Sequence, residues 1–81
     1  MQVTARLSGE LVQQMGRARL PVSLPDGATV AVLMQQLRDT YPQSARTLQA
    51  AVPIIAGRHV STEQVLEGGQ EVAILLPIAG G

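Results

Sequence analysis

Residues 25–42 read PDGATVAVLMQQLRDTYP, with Pro25-Asp26-Gly27-Ala28-Thr29-Val30 at one end and Tyr41-Pro42 at the other. Pro-Asp-Gly is a turn signal. Thr29 stands where a helix N-cap belongs, its hydroxyl able to accept a bond from a free amide of the first turn. Val30, Leu33, Met34, Leu37 and Tyr41 then recur at offsets of three, four, seven and eleven, which marks one apolar face of a helix. Gln35, Gln36, Arg38 and Asp39 fill the solvated face. Pro42 ends the helix, because its ring disfavours helical backbone in the residue before it. A helix with one apolar face needs a surface to bury that face against, and the flanking segments read as strands.

Upstream, Val3, Ala5 and Leu7 alternate with Gln2, Thr4 and Arg6, and Leu20, Val22 and Leu24 alternate again. Period two predicts half-buried strands, and consecutive strands usually pair. Residues 8–19 are irregular, broken by Gly9 and Gly16, with room for a helical turn over residues 10–15. Downstream, residues 43–51 allow another helical turn. Residues 52–56 read as a strand in which Pro53 favours an edge or first position. Gly57-Arg58 predicts a tight turn and His59-Val60 a short return strand. Ser61 with Gln64 fits a capping box, which predicts one more helical turn. Residues 67–70 are a turn, and residues 71–76 form an almost wholly apolar last strand suited to a sheet centre. The order predicts an α+β fold in one domain, residues 1–81. Its mixed four- to five-stranded sheet carries one main helix on one face. That order is compatible with the β-grasp, the ubiquitin-like fold.

Composition narrows function. Apolar residues make up 46% of the chain and Tyr41 is its one aromatic, so the core is built from aliphatic side chains. All six basic residues are arginines, scattered along a chain of zero net charge. Nucleic-acid binding needs a cationic stripe, and none is present. No apolar stretch approaches the roughly 20 residues that span a bilayer. The opening MQVTARLSGE lacks the basic and apolar regions of a signal peptide, so a cytoplasmic protein is expected. Absence of cysteine removes disulfides, thiolate metal sites and thiol nucleophiles. His59 has no companion ligand and reads as a surface residue. Glu63, Glu67 and Glu71 read as a solvated acidic edge, and Gly27, Gly57 and Gly69 as turn residues. Lysine is absent too, so an activated acyl terminus would find no side-chain amine in its own chain. A composition biased toward arginine is the weightier explanation of that absence.

The informative feature is the ending Pro77-Ile78-Ala79-Gly80-Gly81. Glycine lacks a Cβ, so a diglycine can enter a slot too narrow for other residues. Five extended residues reach roughly 17 Å, and Pro77 fixes the exit direction of what is expected to be a flexible tail over about residues 77–81. The group so delivered is the Gly81 carboxylate. A carboxylate is ionised near neutrality and is a poor electrophile. Adenylation by ATP on a partner enzyme gives it a leaving group, and a sulfur donor can then displace AMP to leave a thiocarboxylate. A frayed terminus is the equally weighted bland reading. The last strand adds a second signal. If Val72, Ile74 and Leu76 face the helix, Ala73 and Leu75 face the open side of the sheet and, continued by Pro77 and Ile78, offer a docking patch.

With these residues in view, nearly the whole chain resembles the MoaD/ThiS family of ubiquitin-like sulfur carriers. The resemblance lies in residues 25–30 leading into a helix that ends Tyr41-Pro42, in Gly69-Gln70-Glu71-Val72-Ala73, in Pro77, and in Gly80-Gly81. Length and the break around residues 9–16 look more like MoaD, the small subunit of molybdopterin synthase. The resemblance implies a β-grasp fold and no enzymatic activity in isolation. It implies a thiocarboxylate at Gly81, made with ATP and Mg on a MoeB/ThiF-like adenylating enzyme, and no cofactor bound by the chain itself. It further implies docking to a MoaE-like large subunit, through Ala73, Leu75 and Pro77. The tail Pro77, Ile78, Ala79 and Gly80 would enter the partner's active site, for molybdenum cofactor biosynthesis. The chain departs from MoaD where Ile74 and Leu75 take aromatic positions and Leu76 takes the first of two proline positions, all within the expected docking segment. Other readings are a carrier for thiamine or another sulfur-containing metabolite, a ubiquitin-like modifier joined through Gly81, and a plain interaction module.

Overall fold

The computed structural model describes residues 1–77. Strand β1 (Gln2–Leu7) pairs antiparallel with β2 (Arg19–Ser23), placing Val3 opposite Val22 and Ala5 opposite Leu20 on the buried face. The link between them is helical: α1 (Glu10–Met15) buries Leu11 and Met15. It ends at Gly16, whose φ of 78° lets its N–H turn back to the Val12 carbonyl at 2.8 Å.

Helix α2 (Val30–Thr40) is capped as expected, Thr29 Oγ1 accepting from the Val32 N–H at 3.4 Å. Val30, Leu33, Met34 and Leu37 are buried beneath it. Pro42 opens a 3-10 turn (Pro42–Ser44) that runs into α3 (Ala45–Gln49), so the helical turn foreseen over residues 43–51 is present in two pieces. Gln14 Nε2 donates to Thr47 Oγ1 at 3.1 Å and ties α1 to α3.

The sheet closes with β3 (Val52–Ile55), β4 (Arg58–His59) and β5 (Glu71–Leu75), in the order β2-β1-β5-β3-β4. β5 lies at the centre, parallel to β1 and antiparallel to β3. This is the mixed β-grasp sheet expected, with α2 on one face. Pro53 sits one residue inside β3. Its carbonyl accepts from the Val60 N–H at 3.1 Å, toward the edge, so the donor that proline lacks would also face the edge and not β5.

Two local expectations are corrected. The β3–β4 turn is Ala56-Gly57, not Gly57-Arg58, because Arg58 pairs with Ile55 in the ladder and His59 with Ile54. Both turn residues have positive φ, 51° and 77°. This is the backbone of a tight hairpin turn, in which alanine is out of place. Replacing Ala56 with Asn is expected to stabilise the domain by about 1 kcal/mol. In thermal unfolding that is a rise of roughly 4–8 °C.

The second correction concerns residues 61–64, which form a turn and no helix. The Thr62 and Gln64 carbonyls accept from the Ala31 and Val30 amides at 2.8 and 2.9 Å. A local helix would aim those carbonyls along its own axis. Here they satisfy first-turn donors of α2 that would otherwise be unpaired.

Candidate functional site

The candidate site begins in β5. Val72 and Ile74 are fully buried in the core. Ala73 and Leu75 point to the sheet face that carries no helix, as the alternation predicted. Leu75 is 36% exposed there, but Ala73 only 4%. Its cross-strand neighbours explain the difference. Ala73 pairs with Arg6 on β1 and Ile54 on β3, and both longer side chains rise around it. Leu75 lies opposite Val52, so Val52, Ile54 and Leu75 make an apolar half of the open face.

Beyond β5, Leu76 folds back half-buried against the core and Pro77 is exposed. Of the departures from the MoaD pattern, Ile74 and Leu76 therefore serve the core. Leu75 alone of the three is exposed, as is Pro77 after it. The tail residues Ile78, Ala79 and Gly80 and the terminal Gly81 lie outside the described residues.

The other half of the open face is charged. Arg6 and Arg19 stand directly opposite each other across β1 and β2, an unfavourable like-charge pair. Glu71 relieves it in part: its Oε1 lies 3.6 Å from Arg19 Nε, across the width of β1. Both groups are well exposed, so the ion pair is worth at most about 1 kcal/mol. Arg17 Nε donates to the Arg19 carbonyl at 3.0 Å and covers part of the β2 edge. Arg6 escaped sequence reasoning as a site residue. Its outward direction was legible in the alternation of β1, but its place beside Ala73 required the parallel register.

The remaining candidates stay apart. His59 is exposed on the edge strand, and Glu63 and Glu67 are exposed on the loop before β5. Among the described residues no three His, Cys, Asp or Glu side chains gather to hold a metal ion. No described helix is long and apolar enough to cross a membrane.

Comparison with known proteins fits this geometry. Residues 5–81 match the ThiS family. The molybdopterin synthase sulfur carrier subunit of Dictyostelium discoideum is 27% identical over 78 residues, covering 93% of this chain and 91% of that protein. The crystal structure of SAMP1 from Haloferax volcanii superposes over the full length of both chains with a TM-score of 0.88 at 18% identity. A chain from the complex of subunits 1 and 2 of the molybdopterin-converting factor of Helicobacter pylori also superposes over its full length, with a TM-score of 0.72 at 15% identity. At such identities the structural likeness is one of fold, the ubiquitin-like β-grasp.

Proposed function

This chain belongs to the ThiS family, and from that premise we propose that it is a sulfur carrier whose working group is the C-terminal carboxylate of Gly81. The observation that supports the reading is that the sheet's central strand leads, within a few residues of sequence, to a diglycine. β5 ends at Leu75, Leu76 is anchored on the core, and Pro77 starts a segment that ends Gly80-Gly81. A rigid platform and a narrow terminus suit delivery of one acyl group into a partner's active site.

The chemistry belongs to partners. On a MoeB/ThiF-like enzyme holding ATP and Mg, the Gly81 carboxylate attacks the α-phosphate and releases pyrophosphate. A sulfur nucleophile then adds to the acyl carbon, AMP leaves, and a thiocarboxylate remains. The chain contributes no catalytic side chain and acts as a co-substrate in the cytoplasm, where ATP is available. The tail is received by the active site of a MoaE-like large subunit, where the sulfur builds the dithiolene of molybdopterin for the molybdenum cofactor. The name of the Dictyostelium relative and the two-subunit complex of the Helicobacter neighbour support that pathway. Leu75 and Pro77 provide the exposed docking contacts, and Ala73 the floor between them and Arg6.

Intact-mass measurement tests the proposal. After incubation with ATP, magnesium, the adenylating enzyme and a sulfide source, the protein should gain the mass difference between sulfur and oxygen, located by fragmentation at Gly81. No gain, while a control carrier is converted in parallel, would overturn it. Higher-mass conjugates on target lysines would instead establish a protein modifier.

A further inference from the structure

The open face of the sheet is unevenly charged. Arg6, Arg19 and Glu71 are its charged strand residues, which leaves one positive charge in excess. Glu71 is drawn to Arg19 at 3.6 Å. Arg6 has no ion-pair partner among the described residues. Its unpaired charge stands beside a hollow. On the side away from Arg19, Arg6 borders a depression of about 220 Å³ lined by Ile54, Ala56, Gly57, Glu71 and Ala73. Ala73 is its floor and Ile54 an apolar wall.

From this arrangement we infer that the depression receives an acidic side chain of the protein partner whose active site takes the tail, its carboxylate paired with Arg6 and its stem resting on Ala73 and Ile54. The inference rests on the carrier reading and specifies the chemistry of its partner. Shape and charge lead to the same occupant. A hollow takes a projecting side chain, and the positive charge left in excess while Glu71, also in the lining, is drawn to Arg19 takes an anion. Partner atoms over Ile54 and Ala73 would exclude water from the pair and strengthen it. Along β5, Ala73 and Pro77 are four residues apart, roughly 13 Å at about 3.3 Å per residue, so one partner can hold this anchor and the tail together. Ala56 fits the same account. Asn or Asp would suit its positive φ better, but either would put a polar group into the wall of the hollow.

The test is isothermal titration of the full chain with the MoaE-like large subunit of the same organism. Arg6→Glu is the decisive variant. It replaces an Arg–Arg opposition by an Arg–Glu one, so its thermal stability should equal or exceed that of the wild type, and lost binding cannot be blamed on unfolding. Kd should rise about 10- to 100-fold, Arg6→Lys should recover part of the loss, and wild-type affinity should fall with added salt more steeply than that of the variant. A Glu→Arg or Asp→Arg change on the partner that restores binding of Arg6→Glu would identify the anchor. Wild-type binding with an unchanged Kd for Arg6→Glu overturns the inference and leaves the carrier reading standing. Failure of the wild type to bind the large subunit overturns the molybdopterin reading and the inference with it.

Discussion

Lengthening the chain by one alanine after Gly81 should abolish thiocarboxylate formation while the thermal unfolding transition stays where it was. An extra residue moves the carboxylate by up to about 3.6 Å and puts a Cβ on the residue that must react. Displacement of a reacting group by even 1 Å costs roughly 100-fold in rate, and here both position and width are wrong. Folding should be indifferent to the change because every described core residue lies at or before Leu76. Comparing initial rates of sulfur incorporation by intact mass, with the adenylating enzyme saturating, checks the effect, and calorimetry checks the fold. Conversion of the extended protein at the wild-type rate, without trimming, would sink the assignment of the reactive position to a terminal diglycine ending at Gly81. Loss of conversion with an intact fold leaves only readings in which the terminus itself is the reactive group.

Much of this platform was written in local sequence signals. Helix α2 was legible because its periodicity, its cap at Thr29 and its stop at Pro42 all lie within one short stretch. The direction of each β5 side chain was legible for the same reason, since alternation needs no knowledge of the partner strand. What failed was overruled from a distance. Ser61 and Gln64 carry a helix-start signal, yet their segment turns its carbonyls to the amides of α2, more than 30 residues earlier in the chain. The hairpin turn slipped by one residue because the left-handed backbone at Ala56 is imposed by pairing of Ile55 with Arg58. The site divides in the same way. The outward direction of Leu75 followed from alternation. The hollow beside Arg6 did not, because it exists only where the first and last strands of the chain lie parallel in one register. The proposed role of the diglycine rests on residue type and position alone.

Two neighbours on β5 should separate stability from docking. Ile74 is fully buried between the helices and the sheet, whereas Leu75 is 36% exposed on the opposite face. Truncating a buried Ile to Ala removes transfer energy and leaves a cavity, together about 2–5 kcal/mol. A chain of this length has only roughly 4–12 kcal/mol in total, so Ile74→Ala should lose a large part of it. Its melting temperature should fall by 10 °C or more, at roughly 4–8 °C per kcal/mol. Leu75→Ala should stay within about 1 kcal/mol of the wild type, as exposed substitutions do. It should nevertheless weaken binding of the large subunit by tenfold or more if the residue fills a pocket there. Calorimetry and titration on the same two proteins decide the matter, with Ile74→Ala titrated at a temperature where it is folded and there binding like the wild type. The reverse pattern, Leu75→Ala melting early and Ile74→Ala binding poorly while folded, would turn the central strand over. Ala73 would then face the core, Arg6 would lose the hollow beside it, and the proposed docking surface would have to be sought on the helical side.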